Sequence, residues 1–227
     1  MAWMPENDIA DTAKIWHYTN LLALLSIFQR RQLCFVRLSK QERDPLEGRA
    51  NPPSNVGHWR LLEENVRLGW CHCWCIDQDE SDLMWARVSK GHAVAIESTV
   101  GRLKICFAMR YAETYVGQDK VKIWCGKVAY GNDPQPLSLI KYAFRKRLRF
   151  HGEQEYRVYI SHEGEDDKEQ SVTPERFVDI EPMALIEKIW VPPDTSDWEV
   201  GVLQNLLGLK GYGLPNLQVS RRPVEPD

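Results

Sequence analysis

The sequence lacks the features of several large protein classes. It contains no run of about eighteen apolar residues, the length that a membrane-spanning helix needs, so no membrane contact is expected. The start of the chain is acidic, whereas a signal peptide has a basic start and an apolar centre. A cytoplasmic location is therefore predicted. In that compartment the six cysteines are expected to be reduced thiols, not a disulfide framework.

The chain also lacks internal repeats, low-complexity linkers and a strong charge of one sign. A net charge of -3 over 227 residues gives no general attraction to nucleic acid or to an anionic membrane. A hydrophobic content of 43% is typical of a globular protein with one sizeable core. We predict an N-terminal lead over residues 1–13, a single domain over residues 14–222 and a tail over residues 223–227.

Zinc-binding spacings are missing as well. The sequence has no Cys-x-x-Cys and no His-x-x-x-His pair, although "CHCWC" places Cys71, Cys73 and Cys75 close together. In this stretch cysteines alternate with Trp70, His72 and Trp74, a period of two that indicates a β-strand. We interpret the cysteines as small packing side chains and predict no metal site.

Strand and helix patterns interleave, and several strands follow one another directly. This order favours an α+β fold in which a mixed, mainly antiparallel twisted sheet is flanked by helices. Strands are predicted at residues 14–20, 33–38, 69–77, 92–98, 103–112, 120–131, 149–160, 175–181, 186–193 and in 217–227. Helices are predicted at residues 19–33, with Thr19 or Asn20 as the N-cap, and at residues 58–68, 81–91, 136–150 and 195–211.

A pair of glutamates stands out in "RFHGEQEYRVYI", residues 149–160. On a strand, Glu153 and Glu155 point to the same face, and like charges there repel unless a cation or a reaction uses them. One explanation is structural: Glu153 pairs with Arg157, and Glu155 pairs with a basic side chain of a helix, so that strand and helix are locked. The other explanation is a reaction site.

Two further stretches offer binding groups. The predicted helix at residues 136–150 contains "KYAFRKRLR", whose basic side chains either grip phosphates or form a solvated helix face. "WHYTN" places His17, Tyr18 and Thr19 at the start of a helix, a set suited to a ribose and to an anion. "DPLEG" is typical of a turn, and it could also place Asp44 and Glu47 at a pocket rim.

The order of these motifs resembles a known family. "WHYTNLLALLSIF", "DPLEG", the Cys-rich strand, "LMWARVSKGHAVAIE", "EQEYR", "IWVPP" and "LQVSRRP" follow one another over about residues 14–222. This arrangement resembles a large bacterial family of uncharacterised domains with a Glu-x-Glu-aromatic-Arg signature. The ground plan of that family is similar to the ADP-ribosyltransferase superfamily, which includes toxins and phage-defence enzymes.

The resemblance implies an enzyme that takes NAD as its substrate. It implies that Glu155 stabilises positive charge on the sugar as the nicotinamide–ribose bond breaks, and that Glu153 faces the acceptor. The acceptor could be a protein side chain, a nucleobase or water. The residues that the resemblance and the nearby charges assign to NAD binding are His17, Tyr18, Thr19, Arg149 and Arg157.

One position departs from the family pattern. Members carry Tyr or His-Tyr after the Met-Trp pair, where this chain has Val88 in "MWARVS". If that ring stacks on nicotinamide, Tyr18, Trp85 or Tyr111 would have to replace it. Two other classes remain open: a nucleic-acid or partner-binding module that uses residues 141–149, and a metal-independent nuclease-like effector built on the same acidic and basic residues.

Overall fold

The computed structural model describes residues 2–3, 9–40, 68–88, 92–108, 115–116, 119–131, 140–162, 174–209 and 216–219. The strands are β1 Ala2–Trp3, β2 Lys14–Asn20, β3 Gln32–Arg37, β4 Trp70–Ile76, β5 Ala93–Thr99, β6 Tyr115–Val116, β7 Asp119–Lys127, β8 Ala129–Tyr130, β9 Arg145–Lys146, β10 Glu155–His162, β11 Glu175–Asp179, β12 Lys188–Val191 and β13 Asn216–Val219. The α-helices are α1 Leu21–Arg30, α2 Asp82–Val88, α3 Val100–Ala108, α4 Ile140–Ala143, α5 Pro182–Leu185 and α6 Asp197–Leu209, and 3-10 turns lie at Leu38–Lys40 and Leu148–Glu153.

These elements confirm the predicted α+β class with a mainly antiparallel sheet. The chain divides into two compact units. The first takes its described residues from 1–9, 33–73 and 108–178, and the second from 10–32, 74–107 and 179–227. The prediction of one domain over residues 14–222 stays a prediction.

The first unit is built around the antiparallel pair β7 and β10, in register from Tyr156 opposite Lys127 to His162 opposite Val121. Strand β1 joins β7 in parallel, and β3 pairs with the start of β4. Strand β10 is covered on both faces, so its apolar residues are buried without alternation. A core cluster packs beside it and contains Leu38, Cys71, Tyr142, Ala143, Phe144 and Tyr159.

The second unit is built on β2, which pairs antiparallel with β5 along its whole length, from Lys14 opposite Thr99 to Asn20 opposite Ala93. Strand β12 follows β5, and β13 runs parallel to β12. Helix α1 begins where β2 ends because the Asn20 side chain accepts a hydrogen bond from the Ala23 amide at 2.9 Å, which confirms one of the two predicted N-caps. The aromatic core of this unit contains Trp16, Tyr18 and Trp85.

The strand prediction at residues 103–112 is wrong for its described part. Residues 100–108 form helix α3, whose start is capped by the Thr99 hydroxyl, which accepts from the Arg102 amide at 3.2 Å. Leu103, Ile105 and Phe107 alternate in sequence and resemble a strand. In the helix, Leu103 and Phe107 are buried four residues apart, whereas Ile105 is 55% exposed.

The long basic helix predicted at residues 136–150 is confirmed only over α4 and is wrong for the rest of its described part. After α4 the chain pairs with residues 129–131 instead of continuing the α-helix, and the 3-10 turn follows from Leu148. The Ala129 amide donates to the Phe144 carbonyl at 2.8 Å, and the Gly131 amide donates to the Lys146 carbonyl at 3.1 Å. Backbone pairing with residues 129–131 therefore outweighs the amphipathic basic pattern that predicted a helix.

Several predicted features lie outside the described residues. They are the "DPLEG" turn with Asp44 and Glu47, the helix predicted at residues 58–68 apart from its last residue, and Tyr111. None of the helices in the described part of the chain has the length and apolar character needed to span a membrane.

Gly69, just before β4, makes a close backbone approach that only glycine permits. A Cβ atom there would lie 2.2 Å from the Tyr159 hydroxyl oxygen and 2.3 Å from the ring carbon that carries it. Tyr159 is buried in the core cluster of the first unit, so its ring has no solvent space to move into. The glycine therefore sets how closely the chain before β4 can approach Tyr159.

Replacing Gly69 with Ala is expected to lower the free energy of unfolding by about 1–3 kcal/mol, because the new methyl group overpacks a filled core. Urea unfolding measures the difference. The matched control is Gly201→Ala in helix α6, where a Cβ meets no atom within 4 Å. That change should raise stability by up to about 1 kcal/mol through helix propensity. Equal effects of the two changes would contradict the packing argument.

Candidate functional site

Glu153 and Glu155 meet at one ammonium group in the first unit. Lys146 Nζ lies 2.7 Å from Glu153 Oε2 and 2.8 Å from Glu155 Oε2. All three side chains are buried, with Glu153 7% and Glu155 3% exposed. A single lysine therefore neutralises part of a close carboxylate pair that would otherwise repel itself strongly out of water.

The local backbone is not the continuous strand that the sequence predicts. Glu153 ends the 3-10 turn Leu148–Glu153, and Gln154 adopts a left-handed conformation with φ 41°. Only at Glu155 does β10 begin. The prediction that both glutamates share a strand face is therefore wrong for Glu153, because its carboxylate reaches Lys146 from a turn.

Arg157 completes the cluster. Its Nε donates to Glu155 Oε1 at 2.7 Å, and its Nη1 donates to the Ala143 carbonyl oxygen. The Arg157 guanidinium is 0% exposed. Two carboxylates and two cations thus form a buried set without net charge. The structural alternative predicted that Glu153 pairs with Arg157. Ion pairs are present, but Arg157 pairs with Glu155, and Lys146 pairs with both glutamates.

The charge state of Glu155 follows from these contacts. Burial alone would raise the pKa of its carboxyl group, but the charges of Arg157 and Lys146, with hydrogen bonds from Arg157 and the Cys73 thiol, lower the pKa to about 2. Glu155 is therefore ionised at neutral pH. A buried but ionised carboxylate can stabilise a positive charge that develops beside it.

Two neighbours of Glu155, Tyr130 and Cys73, were not predicted as site residues from the sequence. The Tyr130 hydroxyl oxygen accepts a hydrogen bond from the Glu155 amide at 2.8 Å, and burial raises the pKa of that phenol. The Cys73 thiol lies against the Glu155 carboxylate. A hydrogen bond with Cys71, then burial, raises the pKa of Cys73, so this thiol stays protonated.

The sequence pattern places Lys146 among the charged side chains of a predicted basic helix. No local pattern distinguishes it from Arg145 or Arg147, and only the β8–β9 pairing, with Tyr130 opposite Lys146, turns it toward the glutamates. Arg149, predicted to contact the substrate, lies outside the cluster. It is exposed on the 3-10 turn, with its guanidinium carbon 4.7 Å from the centre of the Phe150 ring.

The predicted ribose-binding residues lie in the second unit. His17 is half-buried, with its ring centre 5.4 Å from that of Trp74. The Tyr18 hydroxyl oxygen accepts from the Ser81 amide at 2.7 Å, and burial raises the pKa of Tyr18. Thr19 is half-buried near the end of β2, opposite Val94.

The aromatic that the family resemblance calls for is not supplied by Val88. Val88 packs against the aromatic core of the second unit. Tyr18 and Trp85 stand edge to face in that core, with ring centres 5.2 Å apart. The Trp85 indole donates to Glu80 at 2.9 Å. Both candidate rings are thus engaged in packing.

Glu97 is a further buried carboxylate, which the sequence patterns did not single out. It is held by the Trp190 indole at 2.7 Å, by Lys14 at 3.2 Å and by Lys188 at 3.7 Å. The sequence signal for Glu97 is its position directly after the apolar run "AVAI" within β5. Among the described residues, no group of three or more His, Cys, Asp or Glu side chains could hold a metal ion.

Comparisons with known proteins give distant likenesses. No protein-family model matches the chain, and no curated protein matches it. A structure of Thermus sp. 2.9 DarT in complex with ADP-ribosylated ssDNA is similar at 13% identity, with a TM-score of 0.43 over 93% of this chain and 96% of that chain. Thermus sp. 2.9 DarT in complex with NAD+ is similar at 13% identity, with a TM-score of 0.42 over 94% and 98%. Likeness at this level assigns no role to any residue of this chain.

Replacing Glu155 with Gln is expected to lower the free energy of unfolding by about 3 kcal/mol at neutral pH, because two buried cations lose a counter-charge. The folded pKa of about 2 lies below the ordinary value of 4.5, so this stability is fully present above 4.5 and is lost as the pH falls toward 2. The deficit of the variant relative to the wild type should therefore shrink over that pH range in urea unfolding.

Glu181→Gln is the matched control for this change, because Glu181 pairs with Arg31 at the surface. Its cost should stay below about 1 kcal/mol. A Glu155→Gln deficit no larger than that of Glu181→Gln would contradict a charge-balanced buried cluster.

Proposed function

We propose that this chain is an ADP-ribosyltransferase-like enzyme that uses NAD as its substrate, with a biological role as a toxin or defence effector. The observation that carries the proposal is the Glu155 carboxylate, which is buried yet ionised at the first residue of β10. Breaking the nicotinamide–ribose bond leaves positive charge on the sugar, and a fixed negative charge stabilises the transition state more than the ground state.

The hydrogen-bond capacity of Glu155 supports this role. A carboxylate has about four acceptor positions, and the described partners are Arg157, Lys146 and Cys73. In the proposal, the acceptor position that these described contacts leave takes a ribose hydroxyl group. Arg157 is fully buried, so in this proposal it acts as a positioning residue that holds Glu155, not as a direct contact to the pyrophosphate.

The other assignments follow the family resemblance. Glu153 shares Lys146 with Glu155 and would orient or deprotonate the acceptor. His17 and Thr19, both half-buried, would contact the ribose, and the exposed Arg149 would contact phosphate. The Tyr18 hydroxyl oxygen is already used by Ser81, so Tyr18 would contribute through its ring.

Calorimetric titration of NAD into the purified protein tests this proposal. Wild type should bind NAD and release nicotinamide, and His17→Ala should abolish binding while unfolding in urea like the wild type. Glu155→Gln should bind NAD but release nicotinamide at least about 100-fold more slowly, because it removes the charge that stabilises the transition state. No heat with the wild type would overturn the proposal.

Glu97→Gln separates catalysis from folding. Glu97 is a carboxylate as buried as Glu155, but it has no proposed part in the reaction. Its replacement should lower stability while the nicotinamide release per folded molecule remains near the wild-type rate. If both variants lose release in proportion to lost folded protein, the Glu155 cluster is a structural lock.

A second candidate function is nucleic-acid binding through the turn at residues 147–150. The guanidinium carbons of Arg147 and Arg149 lie 5.6 and 4.7 Å from the Phe150 ring centre. Cations around an aromatic ring form a surface that suits phosphates and stacked bases. This turn replaces the predicted basic helix at residues 141–149 as the candidate surface.

Fluorescence anisotropy with a labelled single-stranded DNA tests the second candidate. Binding should weaken steeply between about 50 and 200 mM salt, and Arg149→Gln should weaken binding and reduce the salt slope by about one. The control is Arg30→Gln, an exposed arginine at the end of α1 in the other unit. Equal weakening by both changes would show a general charge effect and no binding turn.

A further inference from the structure

A cavity of about 320 Å³ lies within the second unit, and its described lining includes none of the residues assigned to NAD, although Val94 in its wall pairs with Thr19 of β2. Its walls include Leu21, Val94, Val191 and Leu203, which belong to α1, β5, β12 and α6. Val94, Val191 and Leu203 are buried core residues, so the inner surface is apolar and fixed by the sheet. Its size falls at the lower end of pockets that hold small molecules, about 300–1,000 Å³.

The start of α6 places an indole at this cavity. Trp198 is a lining residue and is 75% exposed, although most tryptophans bury the greater part of their large apolar area. An exposed indole face beside an apolar cavity is a surface on which a flat group can stack. The face of a tryptophan ring also attracts cations more strongly than any other side-chain ring does.

Acidic groups outnumber basic ones in the lining. Asp194 and Glu199 contribute carboxylates, and the one basic side chain among the described lining residues is the imidazole of His92. The Glu199 carboxylate accepts hydrogen bonds from the Ser196 amide at 3.0 Å and the Ser196 hydroxyl at 2.8 Å. These bonds lower the pKa of Glu199, so its charge persists at neutral pH.

The shape of the cavity is held by the backbone. The Leu21 amide donates to the His92 carbonyl oxygen at 3.0 Å, which joins the start of α1 to the start of β5. Ser196 and Glu199 cap each other at the start of α6, where the Glu199 amide donates to the Ser196 hydroxyl at 3.3 Å. Trp198 therefore projects from a defined helix start. Asp194 lies in the preceding turn, which the Thr195 amide closes by donating to the Pro192 carbonyl oxygen at 3.1 Å.

We propose that this cavity binds a small organic cation with a flat apolar body, in which the body enters between the aliphatic walls and the positive group lies against Trp198, Asp194 and Glu199. This inference does not rest on the proposed NAD chemistry. The ligand class follows from charge complementarity, because the described lining offers two carboxylates and an indole face to a cation and only the His92 imidazole to an anion.

Three probes of nearly the same shape test the charge preference: benzamidine, benzamide and benzoate, which are cationic, neutral and anionic. Each is titrated into the full chain while the indole N–H resonance of Trp198 is followed by NMR, with assignment by Trp198→Phe. Benzamidine is expected to bind with a Kd on the order of 1 mM or tighter, benzamide about tenfold more weakly and benzoate more weakly still.

Variants with matched controls locate the site. Trp198→Ala should weaken benzamidine binding about fivefold, which corresponds to the loss of one cation–π contact. Asp194→Asn should reduce the preference for benzamidine over benzamide. Asp197→Asn and Leu206→Ala alter α6 residues outside the lining and should leave the Kd unchanged. For these variants, benzamidine binding is followed by calorimetry.

Several results would overturn the proposal. Benzoate or benzamide binding as tightly as benzamidine would remove the charge argument, and binding of none of the three probes would remove the site. A Kd that is unchanged by Trp198→Ala would place any binding elsewhere. Because NAD binding and His17 are not involved, failure here would leave the proposed transferase function untouched, and the reverse also holds.

Discussion

The first unit depends on one ammonium group that two buried carboxylates share. Lys146 must lie between Glu153 and Glu155, because two unscreened negative charges out of water would cost several kcal/mol each. Several local features serve this contact. The β8–β9 pairing orients Lys146, the 3-10 turn brings Glu153 back toward it, and the left-handed Gln154 lets the chain enter β10 at Glu155. Arg157 then balances the remaining charge.

The same contacts make the cluster both a structural element and a candidate reaction centre. A carboxylate that is buried without cations would take up a proton, and a neutral acid could not stabilise a positive charge. The ion pairs that hold the fold therefore also keep Glu155 charged. The second unit solves the same problem at Glu97 with two lysines and an indole. There Lys14 is partly exposed, so water shares in the compensation, whereas no member of the Glu155 cluster reaches solvent to that extent.

Sequence patterns and structure disagree where a competing local signal or a distant backbone partner outweighs the pattern. Apolar runs such as residues 14–20 and 92–98 became strands as predicted, and Asn20 began α1, because these signals act within a few residues. The alternation at residues 103–107 suggested a strand, but the Thr99 cap and burial of Leu103 and Phe107 favour a helix. The basic stretch at residues 141–149 lost its helix because its backbone found partners at residues 129–131.

The sequence by itself determined the α+β class, most of the strands, the capped helices and the presence of a glutamate pair that needed explanation. These features follow from residue spacing and from side chains that act on their own backbone. Only the tertiary structure decided that Lys146, not an exposed arginine, neutralises the pair, that Arg157 is buried beneath Glu155, and that Trp198 stands at an acidic cavity. Neighbouring lysines and arginines have nearly the same local preferences, and what separates them is the burial and charge that residues far along the chain impose.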